Sequence, residues 1–169
     1  MKGTSQTHLS IETLVETSPS IRTIAQWLNE EWGRGQGYSY EDTLSWCRDL
    51  ASSESEAIIC ASLAGRLVGV ALLVDCDLPS HPRFSPWLSS LFVAPKYRGQ
   101  GVGRSLTNRL CEIAEQRGHA EVHLYALEGP SISFHRRLGW AELEKVEIAG
   151  AEFVVMKKAL RTMDHDLIR

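Results

Sequence analysis

Lys96, Arg98 and Arg104 surround three glycines at alternate positions, Gly99, Gly101 and Gly103, in the stretch PKYRGQGVGRSL from Pro95 to Leu106. Glycine costs about 1 kcal/mol relative to alanine inside a helix, so three of them where a helical pattern begins mark a need for bare backbone. A strand that stops and feeds a helix start offers unpaired N–H groups and the positive end of the helix dipole, and both suit phosphate oxygens. With no Cβ in the way an anion can reach the main chain itself, with basic side chains alongside. A diphosphate is the natural guest. The bland alternative is a tight turn with solvated arginines. Two other phosphate cradles fail on spacing. A Gly-x-Gly-x-x-Gly fingerprint would need glycine where Arg104 or Leu106 stands, and a P-loop ending in Gly-Lys-Ser/Thr is missing.

The elements that must position this turn follow from periodicity. Residues 9 to 16 alternate loosely as a strand, and Ser18 and Pro19 read as N-cap and first position of a helix with Ile21, Ile24, Ala25, Leu28 and Trp32 on one face, ended by Gly33. A glycine-rich loop, GRGQGYSY, leads to a helix over 41–50. The runs 57–63 and 67–74 form a hairpin about Ala64 and Gly65, and WLSSLFV (87–93) is a strand stopped by Ala94 and Pro95. After the glycine stretch, Val102, Leu106, Leu110, Ile113 and Ala114 share a helix face closed by Arg117 and Gly118. A strand over 120–126, a short helix over 130–138 capped by Gly139, and a hairpin of 140–148 with 151–160 complete the order, with a frayed tail at 161–169. A helix joining two strands implies at least one parallel pair inside a mixed sheet.

The chain of 169 residues suits one core, expected here as a single domain over 1–160; 43% hydrophobic and 23% charged residues are ordinary for a soluble protein. A net charge of −3 argues against a protein whose main task is to neutralise nucleic acid, so any anionic ligand must be met locally. The N-terminal stretch lacks the apolar core of a signal peptide, and no apolar run approaches the ~20 residues of a membrane helix, which points to a cytoplasmic protein. Cys47, Cys60, Cys76 and Cys111 stand far apart and the histidines form no ligand pattern, so no metal is expected.

The run Val93 to Gly103 resembles the acyl-CoA-binding signature of the GNAT superfamily of N-acetyltransferases, Arg/Gln-x-x-Gly-x-Gly/Ala after a strand ending in Val-x-Pro, with Arg98, Gly101 and Gly103 at the fixed positions. The order of elements is similar to that fold: an α/β (α+β) mixed sheet, mostly antiparallel with one parallel pair, flanked by about four helices. The resemblance implies acetyl-CoA as cofactor, held by the loop Arg98, Gly99, Gln100, Gly101, Val102, Gly103 and Arg104 and by the strand residues Leu91, Phe92 and Val93. It implies direct attack of an amine on the thioester, with a base for the amine proton and an acid for the departing thiolate.

The second pattern of the family aligns with Glu128, Ser131, Phe134, His135, Gly139 and Trp140, and its usual tyrosine acid is here His135, with Tyr125 on the neighbouring strand as a substitute. Ser131 and Phe134 then join the cofactor site. A histidine holds both protonation states near neutrality, but beside Arg136 and Arg137 it reads equally as part of a solvated basic face. Relatives often carry a carboxylate on the strand before the loop, where this chain has Ser89 and Ser90; Asp75, Asp77, His81 and Glu31 are the candidates for an ammonium group or its proton. Trp32, Tyr38 and Tyr40 suit a cationic amine with an apolar body. The implied partner is a small-molecule or peptide amine, not nucleic acid or membrane, and the protein a monomer or homodimer. A non-catalytic acyl-CoA sensor and a turn for another phosphate ligand are the alternatives.

Overall fold

The computed structural model describes residues 8–161, and in it the alternating runs become strands and the apolar stripes helices. In chain order these are β1 (Leu9–Thr13), α1 (Ile21–Leu28), α2 (Tyr40–Ser52), β2 (Ala57–Leu63), β3 (Arg66–Val74), β4 (Trp87–Val93), α3 (Val102–Gln116), β5 (Glu121–Leu127), α4 (Pro130–Arg137), β6 (Ala141–Ile148) and β7 (Ala151–Ala159). The strands form a seven-stranded mixed sheet in the order β1-β2-β3-β4-β5-β7-β6. Its parallel pair is β4 with β5, matched at Trp87↔His123 and joined through the crossover helix α3. The expected tail beyond Arg161 lies outside the described residues.

The chain divides into two compact units, one made of residues up to Leu72 together with Ser90–Arg109, the other of Leu73–Ser89 together with residues from Leu110 onward. In the first, α1 and α2 bury Ile24, Leu28, Leu44 and Leu50, and β2 and β3 bury Ile58 and Val70. In the second, β5 and β7 run antiparallel from Glu121↔Ala159 to Leu127↔Phe153 and bury Val122, Leu124 and Met156. The last hairpin, β6 with β7, carries a register shift between Glu142 and Glu144.

Two helix boundaries differ from the sequence reading. Ser18 and Pro19 sit in a turn in which Ser18 N–H donates to Val15 O and Ile21 N–H to Ser18 O, so α1 begins after Ser20. The α-helical bonding also ends at Leu28, and Asn29–Gly33 widens into a π-helical turn. Asn29 accounts for the change. It is buried, and its Nδ2 donates to Tyr38 O at 2.9 Å and to Thr43 Oγ1 at 3.0 Å, tying α1 to the following loop and to α2. Gly33 permits this, since a Cβ there would stand 2.7 Å from Asn29 Nδ2. Ser39 then caps α2: Asp42 N–H donates to Ser39 Oγ, and Ser39 N–H to Asp42 Oδ2.

Candidate functional site

After β4 the chain makes one 3₁₀ turn, Pro95–Tyr97, before the glycine stretch. Gly99 and Gly101 adopt φ of +73° and +83°, the left-handed region that glycine enters without cost, and the space where a Cβ would stand at either holds no protein atom within 4 Å. The first backbone bond of α3 runs from Ser105 N–H to Gly101 O, so the N–H groups of Val102, Gly103 and Arg104 precede any intrahelical acceptor. A diphosphate fits this cradle of open main chain at a helix start. Gly69 on β3 seats the helix: a Cβ there would lie 3.0 Å from Leu106 Cδ1 and from Phe92 O.

The basic side chains do more than add charge. Arg98 Nε donates to Val93 O at 2.9 Å and its guanidinium lies 5.8 Å over the Phe92 ring, bracing the turn against the end of β4. Gln100 Nε2 donates to Lys96 O, and Arg104 is exposed. Leu91, Phe92 and Val93 are half-buried. Just before them Ser90 stands at φ +52°, a left-handed conformation in a non-glycine residue, which kinks β4 between Ser89 and Leu91.

Of the acceptor-side candidates in this unit, Trp32 is half-buried and meets Phe92 edge-on at 6.4 Å, while Glu31 is exposed in the π-helical turn. Tyr38 is 56% exposed and contributes its carbonyl, not its ring, to the Asn29 lock. Trp27, which the sequence reading passed over, packs on Phe92 at 5.3 Å. It lies one position off the apolar stripe of α1, which is why periodicity alone missed it.

The second unit gathers a different set. The loop between β3 and β4 folds over the face that Trp87, His123 and Tyr125 share: Phe84 stacks on His123 at 4.5 Å, Trp87 Nε1 donates to Phe84 O, and His81 Nε2 lies 3.1 Å from Glu144 Oε1 on β6. In that loop Asp75 and Cys76 are exposed, whereas Asp77 is part-buried and accepts a hydrogen bond from Ser89 Oγ at 3.0 Å. Burial pushes the Asp77 carboxyl up to about 6, with the Ser89 bond acting in the opposite direction. Tyr125 packs edge-on against Trp87 at 6.0 Å, and its phenol is raised above its ordinary value by burial first and by the Asp77 carboxylate second.

His135 takes none of the exposed positions that its neighbours Arg136 and Arg137 occupy. It is 3% exposed, packed edge-on against Phe134 and Trp140. Its Nδ1 lies 2.9 Å from Ser131 O, an acceptor only, so the ring proton sits on Nδ1, and Nε2 is buried without a partner. Burial lowers its pKa, which keeps the ring neutral near neutrality, with its one proton committed to the helix backbone. Ser131 itself is exposed and Phe134 half-buried.

Burial also raises the thiols of Cys47 and Cys60 to about 12 and Cys111 to about 11, which makes them packing groups. Among the described residues no group of three or more His, Cys, Asp or Glu is placed to hold a metal ion, and no helix is long and apolar enough to cross a membrane.

The model of the acetyltransferase (GNAT) family matches residues 21–140. An uncharacterized N-acetyltransferase of Methanocaldococcus jannaschii is 30% identical over 122 residues, which is 68% of this chain and 54% of that protein, so the chain spans about half the length of this relative. Among solved structures, the ribosomal-protein-alanine N-acetyltransferase of Brucella melitensis superposes with a TM-score of 0.73 at 22% identity, over 89% of this chain and 99% of that one. An aminoglycoside 6′-N-acetyltransferase complexed with coenzyme A gives 0.72 at 15% identity, over 89% and 96%.

Proposed function

The chain belongs to the acetyltransferase (GNAT) family, and on that premise we propose that it is an acetyl-CoA-dependent N-acetyltransferase acting on a primary amine of a small molecule or peptide. The observation that carries this reading is the open backbone at Gly99 and Gly101 leading into N–H groups at the start of α3 that have no intrahelical acceptor. Acetyl-CoA, when bound, supplies an activated acyl thioester for the amine to attack. The N–H groups of the turn would hold its pyrophosphate, and Leu91, Phe92 and Val93 would hold its pantetheine arm. A backbone donor aimed at a developing oxyanion is worth roughly 3–4 kcal/mol.

Of the two acid candidates the arrangement favours Tyr125. Its phenol keeps a proton throughout the neutral range, whereas the single proton of His135 is held by Ser131 O and its other nitrogen is sealed from solvent. The test is thiol release from acetyl-CoA over a panel of amines, alongside protection against thermal unfolding by CoA, NAD and ATP. Turnover with at least one amine and protection by CoA alone are expected; a ligand at 100 times its Kd adds ~2.7 kcal/mol of stability. CoA binding without turnover of any amine would make the protein an acyl-CoA sensor instead.

A further inference from the structure

We infer that Asp77, seated by Ser89, is the group that holds the acceptor as its ammonium ion and takes the proton from it. The inference rests on the transferase reading above and supplies the base that β4 itself lacks, since the strand offers only serines before the phosphate turn. The loop after β3 makes up the difference: it folds back so that the Asp77 carboxylate meets Ser89 Oγ at 3.0 Å. One carboxylate oxygen, Oδ1, is thereby fixed. The loop is itself held in place by the stack of Phe84 on His123 and the contact of His81 with Glu144, so Asp77 is delivered by a braced segment.

The surroundings specify a cation. A part-buried carboxylate ordinarily has a positive partner, yet among the described residues no Lys, Arg or His offsets this one. The titratable group facing it from β5 is the neutral phenol of Tyr125; β4 contributes Ser89, which does not titrate. The half-buried Tyr125 ring, packed on the fully buried Trp87 at 6.0 Å, adds aromatic surface of the kind that attracts an ammonium group. The balance is simple. The acceptor R–NH₃⁺ transfers one proton to the carboxylate, giving R–NH₂ and the neutral acid, which returns the proton to solvent after turnover. A carboxyl that titrates near 6 is suited to this exchange at neutral pH.

The experiment uses the full chain, acetyl-CoA and four primary amines: an aliphatic diamine, an aminosugar, an arylalkylamine and a peptide N-terminus. Asp77→Asn should lower kcat/KM about 10²–10⁴-fold, the usual range for a lost general base, and abolish the acidic limb of the pH profile while CoA affinity stays unchanged. Ser89→Ala removes a bond that favours the charged carboxylate, so the acidic limb should move to higher pH with CoA affinity again unchanged. A carboxyl-carbon NMR titration of the protein without ligands should report the Asp77 midpoint near 6 and the same upward move in Ser89→Ala. Wild-type turnover matched by Asp77→Asn, or an Asp77 carboxyl titrating in the ordinary range, overturns the inference while the transferase reading stands. Wild type that binds CoA and acetylates none of the amines overturns both.

Discussion

At the glycine turn the groups offered to a ligand are main-chain N–H donors, opened by absent side chains at Gly99 and Gly101; around Asp77 they are side chains, brought together from a loop and two strands. The turn depends on local backbone conformation and on Arg98 bracing it to Val93 O. The Asp77 set depends on long-range folding, on the Phe84–His123 stack and on burial that keeps a carboxylate short of water. The two regions should therefore fail differently: damage to the turn shows in cofactor affinity, and damage to the side-chain set shows in rate and in pH dependence. Binding and proton transfer should be separable by mutation.

The largest expected effect belongs to the side-chain set. Tyr125→Phe should lower kcat about 10²–10⁴-fold with CoA affinity unchanged, read by steady-state kinetics and calorimetric titration. His135→Phe, by contrast, should leave kcat close to wild type. A large loss of kcat in His135→Phe with little in Tyr125→Phe would reverse the assignment of the acid.

Next is a stability effect with a defined sign. Burial raises the Asp77 carboxyl from 3.8 to about 6. Between those values the unfolded chain has released a proton that the folded chain keeps, so stability falls as pH rises through the window and levels off above it, by ~3 kcal/mol at most. Asp77→Asn removes that fall. In urea unfolding, the variant should gain on wild type between pH 4 and pH 7, and an equal difference at both pH values would contradict the burial of this charge.

At the turn, Gly101→Val places a side chain at φ +83° and fills space that the ligand needs. The backbone strain alone is ~1–2 kcal/mol, so CoA affinity should fall about tenfold or more. Wild-type affinity in this variant would mean that the bare backbone is only a turn. The smallest effect is a control outside both regions: Ser39→Ala removes the cap of α2 and should cost ~1 kcal/mol of stability with kcat and CoA affinity unchanged.

The contrast between the regions also explains what could be read from the chain. The turn was legible because its signal is local: glycines, a proline stop and a helical stripe lie within a few residues of one another. Asp77 was visible only as one of several loop charges, because its burial and its bond to Ser89 arise where separate segments meet. In the sequence His135 reads as the acid or as part of a basic face with Arg136 and Arg137, yet it falls three positions after buried Ile132 and turns inward with it. The spacing carried that signal; the charged neighbours obscured it. The kink at Ser90 and the π-helical turn at Asn29–Gly33 left no sequence mark, since a serine rarely takes a left-handed φ and a buried asparagine on a helix face reads as surface.

Backbone amide NMR during a CoA titration observes the donors themselves. As CoA saturates, the amide signals of Gly99, Gly101, Val102, Gly103 and Arg104 should shift and their hydrogen exchange should slow. CoA that binds while those amides neither shift nor gain protection would contradict the main-chain cradle.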